Sequence, residues 1–300
     1  MIDIKNYRTF RKIEPVNKGW SSDKKYYIET FMNERLLLRV TDISQYAQKK
    51  SEYEIMKGLA EAGVPMSQPV DFGICDNDKS VYAIFTWCDG QDAEIVLPKL
   101  TEIEQYLLGV KSGQILREIH NIPAPAKQEE WATHFNRKID SKINSYQDCG
   151  IKIADEDKIL CFIKANRYLL DGREQCFHHG DYHVGNMIIS PELDLKIIDF
   201  NRYDYGDPWE EFNRIVWSAG VSPHFATGQL NGYFNGRPPM EFFSLLALYI
   251  CSNMLSSIPW AIHFGEHEVS VMKNQAKDVL NSFNGMRNPV PTWYLENLHS

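Results

Sequence analysis

Two short runs rich in β-forming residues, Met187–Ser190 and Leu195–Ile198, flank Pro191-Glu192-Leu193-Asp194, a segment with the composition of a turn. Folding the chain about that turn pairs Ser190 with Leu195 and Met187 with Ile198. Asn186 and Asp199 then stand side by side at the open end of a hairpin. The preceding run, His178-His179-Gly180-Asp181-Tyr182-His183-Val184-Gly185, sets Asp181 in a loop a few residues from both. An amide and a carboxylate converge, with a second carboxylate in reserve. This suits a magnesium-phosphate site, because Mg²⁺ takes one or two protein oxygens and completes its shell with water and phosphate. Taken singly, each residue reads as a turn former beside a strand. Taken together, they point to phosphoryl transfer.

A second chemistry fits part of the same run. His178, His179, Asp181 and His183 have the close spacing and ligand types of a zinc or dinuclear hydrolase. That reading finds no second ligand cluster downstream and leaves Asn186 and Asp199 without a role. The net charge of −8 argues against nucleic acid as a partner and is compatible with a cationic one. The segment Met1–Arg8 has no apolar core of signal-peptide length, and the apolar stretch around Phe242–Ile250 is interrupted by Ser244, so no membrane helix is expected. Six cysteines without CxxC spacing read as reduced thiols of a cytoplasmic protein.

Along the chain, Arg11–Val16, Tyr26–Thr30, Arg35–Val40 and Val81–Phe85 read as strands. Lys49–Ala62 reads as a helix with Tyr53, Met56, Leu59 and Ala60 on one face and Gly63 as its stop. Beyond Trp87 the pattern turns helical, over Glu102–Ile119, Phe135–Tyr146, Glu156–Leu170, Pro208–Ser218, Met240–Ser252 and Glu268–Phe283. The expected architecture is α+β, with a small antiparallel β lobe (residues 1–88) and a larger helical lobe (residues 89–300) carrying the hairpin.

With these residues in place, the chain resembles the aminoglycoside phosphotransferase family, small-molecule relatives of the protein kinases. His179-Gly180-Asp181-Tyr182-His183-Val184-Gly185-Asn186 is similar to the family's catalytic loop, and Ile198-Asp199-Phe200 to its metal-binding motif. Gly206-Asp207-Pro208 with Glu211-Phe212 resembles the acidic segment opening the next helix. Glu52, eleven residues before Gly63, has the spacing of the family's helix Glu. The resemblance implies a protein-kinase-like bilobal fold and a γ-phosphoryl donor, ATP or GTP, with Mg²⁺. It implies that Asp181 orients or deprotonates the attacking hydroxyl, that Asn186 and Asp199 hold Mg²⁺, and that Glu52 pairs with a phosphate-binding cation.

That cation would be Arg39, where the family usually has Lys. Arg keeps the charge and can grip phosphate bidentately, while its reach and its pairing with Glu52 change. The nucleotide loop holds Gly19 alone, with Ser21 and Ser22 available to help cap phosphates. Phe85-Thr86-Trp87-Cys88 would form the hinge, its main chain meeting the base at Thr86 and Cys88, with Phe85 either narrowing the deep end of the pocket or serving as plain core. The acceptor would be a small cationic molecule bearing a hydroxyl, an aminoglycoside-type antibiotic first, held by Asp204, Asp207, Glu210 and Glu211, with Glu266, Glu268 and Glu296 adding to the same wall. The competing role for Asp207, Glu210 and Glu211 is to cap and charge a helix start. A macrolide or a metabolite such as choline, homoserine or a thio-sugar is the alternative acceptor, and an inert nucleotide-binding protein the alternative class. No nucleic-acid or membrane partner is expected, and the chain would act as a monomer or homodimer.

Overall fold

The computed structural model describes residues 3–17 and 23–296. They fall into two compact units: residues through Asp92 together with Asn186–Asn201, and Ala93–Gly185 together with the chain from Arg202 onward. The division expected after residue 88 thus lies after Asp92, and the hairpin groups with the N-terminal unit although helices flank it in sequence.

The first unit opens with β1 (Phe10–Pro15), β2 (Lys24–Thr30), β3 (Arg35–Asp42), α1 (Tyr46–Glu61), β4 (Pro69–Cys75) and β5 (Ser80–Thr86). The strands pair antiparallel in the order β1-β2-β3-β5-β4. Alternation along β3 decides what each face does. Leu36, Leu38 and Val40 pack with Ile28, Tyr82 and Ile84 into a buried core, so Leu37 and Arg39 project from the other face. Lys25 lies directly opposite Arg39 in register. Strand β4 was not expected, because Pro69 and Gly73 are poor strand formers. Gly73 is needed there: a Cβ would sit 2.9 Å from the Tyr82 ring. Helix α1 stops as expected at Gly63, in the left-handed region at φ 85°, with Val64 N–H bonded back to Leu59 O at 3.1 Å.

After β6 (Gln91–Asp92) the chain enters the second unit through α2 (Ala93–Val96), α3 (Glu102–His120), α4 (Trp131–Asp148), α5 (Glu156–Asn166) and β7 (Cys176–His178). It returns to the first unit for the hairpin of β8 (Met187–Ile189) and β9 (Leu195–Ile197), which extends from β6. The hairpin register is shifted by one residue from the expected one. Met187 pairs with Ile197 and Ile189 with Leu195. The turn is therefore Ser190–Asp194, in which Ser190 Oγ accepts N–H groups of Glu192 (3.2 Å) and Asp194 (3.1 Å) while Leu193 takes φ 63°.

The rest of the second unit comprises β10 (Asp204–Gly206), α6 (Ile215–Val221), α7 (Pro223–Phe234), α8 (Met240–Ile262) and α9 (Glu266–Ser282). Strand β10 pairs with β7, Asp204 opposite His178. The helix expected over Pro208–Ser218 is broken into a 3₁₀ stretch, Glu210–Arg214, followed by α6. Helices α3 and α7 touch through backbone. A Cβ at Gly113 would lie 2.0 Å from Gln229 O, and one at Gly228 2.2 Å from Tyr106 O. Helix α8 is apolar all round and, against expectation, is long and apolar enough to cross a membrane by length and composition; 67% of that stretch is buried inside the protein. Its hydrophobicity is that of a central core helix.

Candidate active site

In the second unit, β7 leads into His179-Gly180-Asp181. Gly180 takes φ 80°, and a Cβ there would lie 1.9 Å from Arg202 O, so only glycine fits. Its N–H donates to both carboxylate oxygens of Glu211, at 3.0 and 3.2 Å. The fully buried His179 accepts the Asp181 N–H through Nδ1 (3.2 Å), and His183 Nδ1 accepts that of Gly185 (3.1 Å). The buried Tyr182 donates its hydroxyl to Ser112 O at 2.8 Å. Side chains of the loop thus fix its backbone and present Asp181. Arg214 Nη1 stands 2.8 Å from the Asp181 carboxylate, His183 Nε2 at 3.4 Å and Arg202 Nε at 3.9 Å. Burial works against the Asp181 charge, but His183, Arg214 and Arg202 more than offset it and hold the group well below the usual carboxylate range. Asp181 is an anion at any working pH.

This arrangement does not favour the hydrolase reading. The imidazoles of His179 and His183 serve the loop backbone. Among the described residues His178 clusters with His120 and Cys176 rather than with Asp181.

In the first unit, the chain leaves β9 with Ile198 N–H bonded to Asn186 O (3.0 Å) and turns sharply at Asp199, at φ 66°. Asp tolerates this left-handed conformation better than most side chains, and here it makes the turn out of the hairpin. Asp199 Oδ1 is buried and makes no hydrogen bond among the described residues, its contact with Arg39 Nη1 being 3.9 Å. A buried carboxylate oxygen left in this condition is stabilised by a hard divalent cation, and Asn186, across the hairpin from Ile198, offers a neutral oxygen from the adjoining position. The residues fit Mg²⁺.

Asp199 borders a cleft whose described walls include Leu37, Met56, Phe85, Ile188 and Ile197 and also the cations Lys25 and Arg39. The mostly apolar lining with cations at its edge suits a flat base with a charged tail. Phe85 is 3% exposed and lines the cleft. Cys88 is at the cleft, its thiol 3.1 Å from Ser67 Oγ. Thr86 belongs to β5, and its N–H is bonded to Gln68 O at 2.8 Å, so it offers a base no main-chain donor. Ser21 and Ser22 lie outside the described residues.

Arg39 is buried in a cluster that the sequence reading only half anticipated. Its Nε and Nη2 bond Asp23 Oδ2 at 3.0 and 2.7 Å, and its Nη1 meets Glu52 Oε1 at 3.2 Å. Lys49 Nζ bonds the same two carboxylates, at 2.9 and 3.0 Å. Lys49 was legible in principle, three residues before Glu52 on the same helix face. Asp23 was not, because only the sheet brings it to Arg39.

The sequence profile of the phosphotransferase enzyme family matches residues 12–243. The chain belongs to that family. No curated protein matches the sequence. Among solved structures it is similar to a thermostable mutant of aminoglycoside phosphotransferase APH(4)-Ia in ternary complex with ADP and hygromycin B (TM-score 0.67, 14% identity, covering 92% of this chain and 95% of that one). It is similar to an amicoumacin kinase in complex with AMP-PNP and Ca²⁺ (0.63, 12%, 93% and 90%). A choline/ethanolamine kinase family protein from Mesorhizobium loti gives 0.64 at 12% identity, covering 93% and 91%. At such identities the likeness is one of fold: the kinase-type α+β architecture, with an antiparallel N-terminal sheet and a mostly helical C-terminal region.

In this phosphotransferase the proposed acceptor wall is largely consumed by structure. Asp207 is 0% exposed: Arg173 binds it bidentately (2.8 and 3.0 Å), Tyr249 donates its hydroxyl to it, and its Oδ1 accepts the Trp209 N–H at 3.0 Å. It caps the following turn and cannot reach a ligand. Glu211, 2% exposed, anchors Gly180 instead. Glu296 pairs with Arg237 at 2.7 Å. Glu210 is partly buried, 3.8 Å from Lys138 Nζ, and Asp204 is exposed and bonds the Tyr205 N–H at 2.8 Å. Arg202 and Arg214, the cations beside Asp181, had no signal in the sequence, since a surface Arg and one that faces a buried carboxylate look alike there.

Proposed function

We propose that this phosphotransferase moves the γ-phosphoryl group of ATP or GTP to a hydroxyl of a small molecule. The observation that carries the reading is the buried Asp199 Oδ1, without a hydrogen bond among the described residues, beside a cleft that Lys25 and Arg39 also line. Metal and phosphate are complementary to these two features. The cleft holds the base between apolar walls, and its cations receive the phosphates. Asn186 and Asp199 would hold Mg²⁺, which supplies charge neutralisation at the β- and γ-phosphate oxygens. Asp181 accepts the hydrogen bond of the acceptor hydroxyl, aims its oxygen and takes its proton as the bond to the γ-phosphorus forms. The bond from that phosphorus to the β–γ bridging oxygen breaks, releasing ADP or GDP. With its pKa held so low, Asp181 is a weak base, so its work is mainly orientation, in keeping with the loose transition state of phosphoryl transfer.

For the acceptor, an aminoglycoside-type antibiotic remains the first candidate, supported by the family and by the hygromycin-bound neighbour. A second reading is favoured by Arg202 and Arg214 at Asp181 and by the internal use of Asp207 and Glu211. Both reduce the negative charge available to a polyamine and favour an acceptor of low positive charge. A nucleotide-consumption screen decides between them, run with ATP and GTP against aminoglycosides, macrolides, choline, homoserine and thio-sugars. For a polyamine acceptor, KM should rise with added salt as charges are screened. Turnover of a neutral acceptor with no salt effect would select the second reading, and no turnover with any hydroxyl acceptor would contradict the proposal.

A further inference from the structure

Helix α3 ends at His120 and packs against β7, where Cys176 and His178, two residues apart on one strand, leave the same face. One nitrogen of each ring and the Cys176 sulfur lie within 4.8 Å of one another. The two imidazole side chains are each 4% exposed and Cys176 is 7% exposed, so the group is closed to solvent. Each imidazole has one nitrogen oriented and one left over. His120 Nδ1 is 2.9 Å from the Tyr233 hydroxyl, and His178 Nδ1 is 3.8 Å from a Glu210 carboxylate oxygen. The Nε2 atom of both rings is buried without a hydrogen bond among the described residues. Two such nitrogens in one cluster are costly unless something takes their lone pairs. Glu211 supplies a further donor, its Oε2 standing 3.8 Å from His120 Nε2, a separation too long for a hydrogen bond. Gly206 makes the room. It sits opposite Cys176 in the β10–β7 register, and a Cβ there would lie 2.8 Å from the His178 ring.

We propose that His120, Cys176 and His178 bind a zinc ion, with Glu211 as the fourth ligand. Imidazole and thiolate are donors that suit Zn²⁺ and not Mg²⁺. Four protein ligands in a closed pocket make a structural site, whereas a hydrolytic one keeps a position open for water. Zn–N bonds of about 2.0 Å and a Zn–S bond of about 2.3 Å put tetrahedral ligand atoms about 3.3–3.8 Å apart, so the cluster has to contract by about 1 Å. The Tyr233 and Glu210 oxygens hold the rings as ligating histidines are held, by the nitrogen that does not face the metal. Two neutral imidazoles, one thiolate and the Glu211 carboxylate balance the charge of the ion. Burial keeps the Cys176 thiol protonated when no metal is bound, and its proton leaves to solvent as the Zn–S bond forms. Glu211 can serve two partners at once, since Oε1 accepts the Gly180 N–H at 3.0 Å while Oε2 faces His120. The ion thereby ties α3 and β7 to the turn that precedes Asp181. The site depends on neither the nucleotide nor the acceptor.

Cobalt(II) is the probe, because a tetrahedral cobalt thiolate absorbs through sulfur-to-metal charge transfer that an all-oxygen site lacks. The chelator-treated full chain, kept in excess Mg²⁺ with a phosphine reductant, should develop that band with a single equivalent of Co²⁺. Zn²⁺ should then displace the cobalt and remove the band. Cys176→Ser should abolish it, while Cys75→Ser, which removes the thiol beside Asp3 and Asp76, should keep it. Tyr233→Phe removes only the oxygen that orients His120 and should weaken zinc binding by about tenfold. Zinc should also raise the melting temperature of the wild type and leave that of Cys176→Ser unchanged. No charge-transfer band in the wild type, a band retained in Cys176→Ser, or one lost in Cys75→Ser would overturn the assignment. The wild type, Cys75→Ser and Tyr233→Phe all keep the four buried ligands, so they decide the question even where Cys176→Ser fails to fold.

Discussion

Asp181 shows what a single residue can and cannot disclose. Its place in a loop was legible, because Gly180 before it and the β-run after Asn186 are local signals. Its environment was not, since Arg214 and Arg202 come from a later segment and Glu211 acts on it only through Gly180. Asp207 and Glu211 were misplaced for the same reason: an acidic residue beside a helix start is ambiguous until its burial is known. Asp181→Asn keeps the shape and removes the charge. It should lower kcat by about two to four orders of magnitude, the range expected of a general-base and orienting group. Nucleotide affinity should stay within about twofold of wild type, because the role proposed for the residue is at the acceptor rather than at the phosphates. Steady-state kinetics beside calorimetry check this, and a variant retaining half the wild-type kcat would remove Asp181 from the mechanism.

At the scale of elements, periodicity found most strands and helices but not their pairings. The hairpin shifted by one residue because Ser190 anchors the turn with its hydroxyl, a side-chain effect that counting residues does not register. Helix α7 was missed because Gly228 and Gly232 lower helix propensity. In the fold these glycines, with Gly109 and Gly113, are what let α3 and α7 meet backbone to backbone. Gly113→Ala should therefore destabilise the protein by about 1–3 kcal/mol, as overpacking does, despite the better helix propensity of Ala. Gly58, inside α1 with nothing within 4 Å of a Cβ, is the internal control. Gly58→Ala should stabilise by about 0.5–1 kcal/mol. Urea denaturation of the two variants measures both, and equal signs would contradict the packing account.

For the molecule as a whole, fold class was legible and the partition into units was not. Sequence order hides that Asn186–Asn201 groups with the N-terminal sheet, a consequence of β8 pairing with β6 and of Ile197 N–H bonding Pro65 O at 2.9 Å. Stability of the helical unit should carry a pH signature from Lys142, whose Nζ lies 3.3 Å from Ser252 Oγ. Burial pushes its pKa down to about 8 from the ordinary 10.5, with Glu210 acting in the opposite direction. Between those two values the unfolded chain holds the proton and the folded one does not, so this group's contribution to stability rises with pH. Lys142→Met should melt higher than wild type at pH 7, and the gap should close as the pH approaches 10. A gap that is constant in pH would mean that Lys142 is solvated.

The most direct test of the central claim is the Mg²⁺ dependence of AMP-PNP and GMP-PNP binding in wild type and Asp199→Asn. Wild type should bind one of the two at least about tenfold more tightly with Mg²⁺ than with chelator, and Asp199→Asn should lose most of that difference while keeping its metal-free affinity. Identical binding with and without Mg²⁺ in the wild-type protein, or an undiminished metal effect in Asp199→Asn, would contradict the assignment of Asp199 as a ligand of the nucleotide's metal.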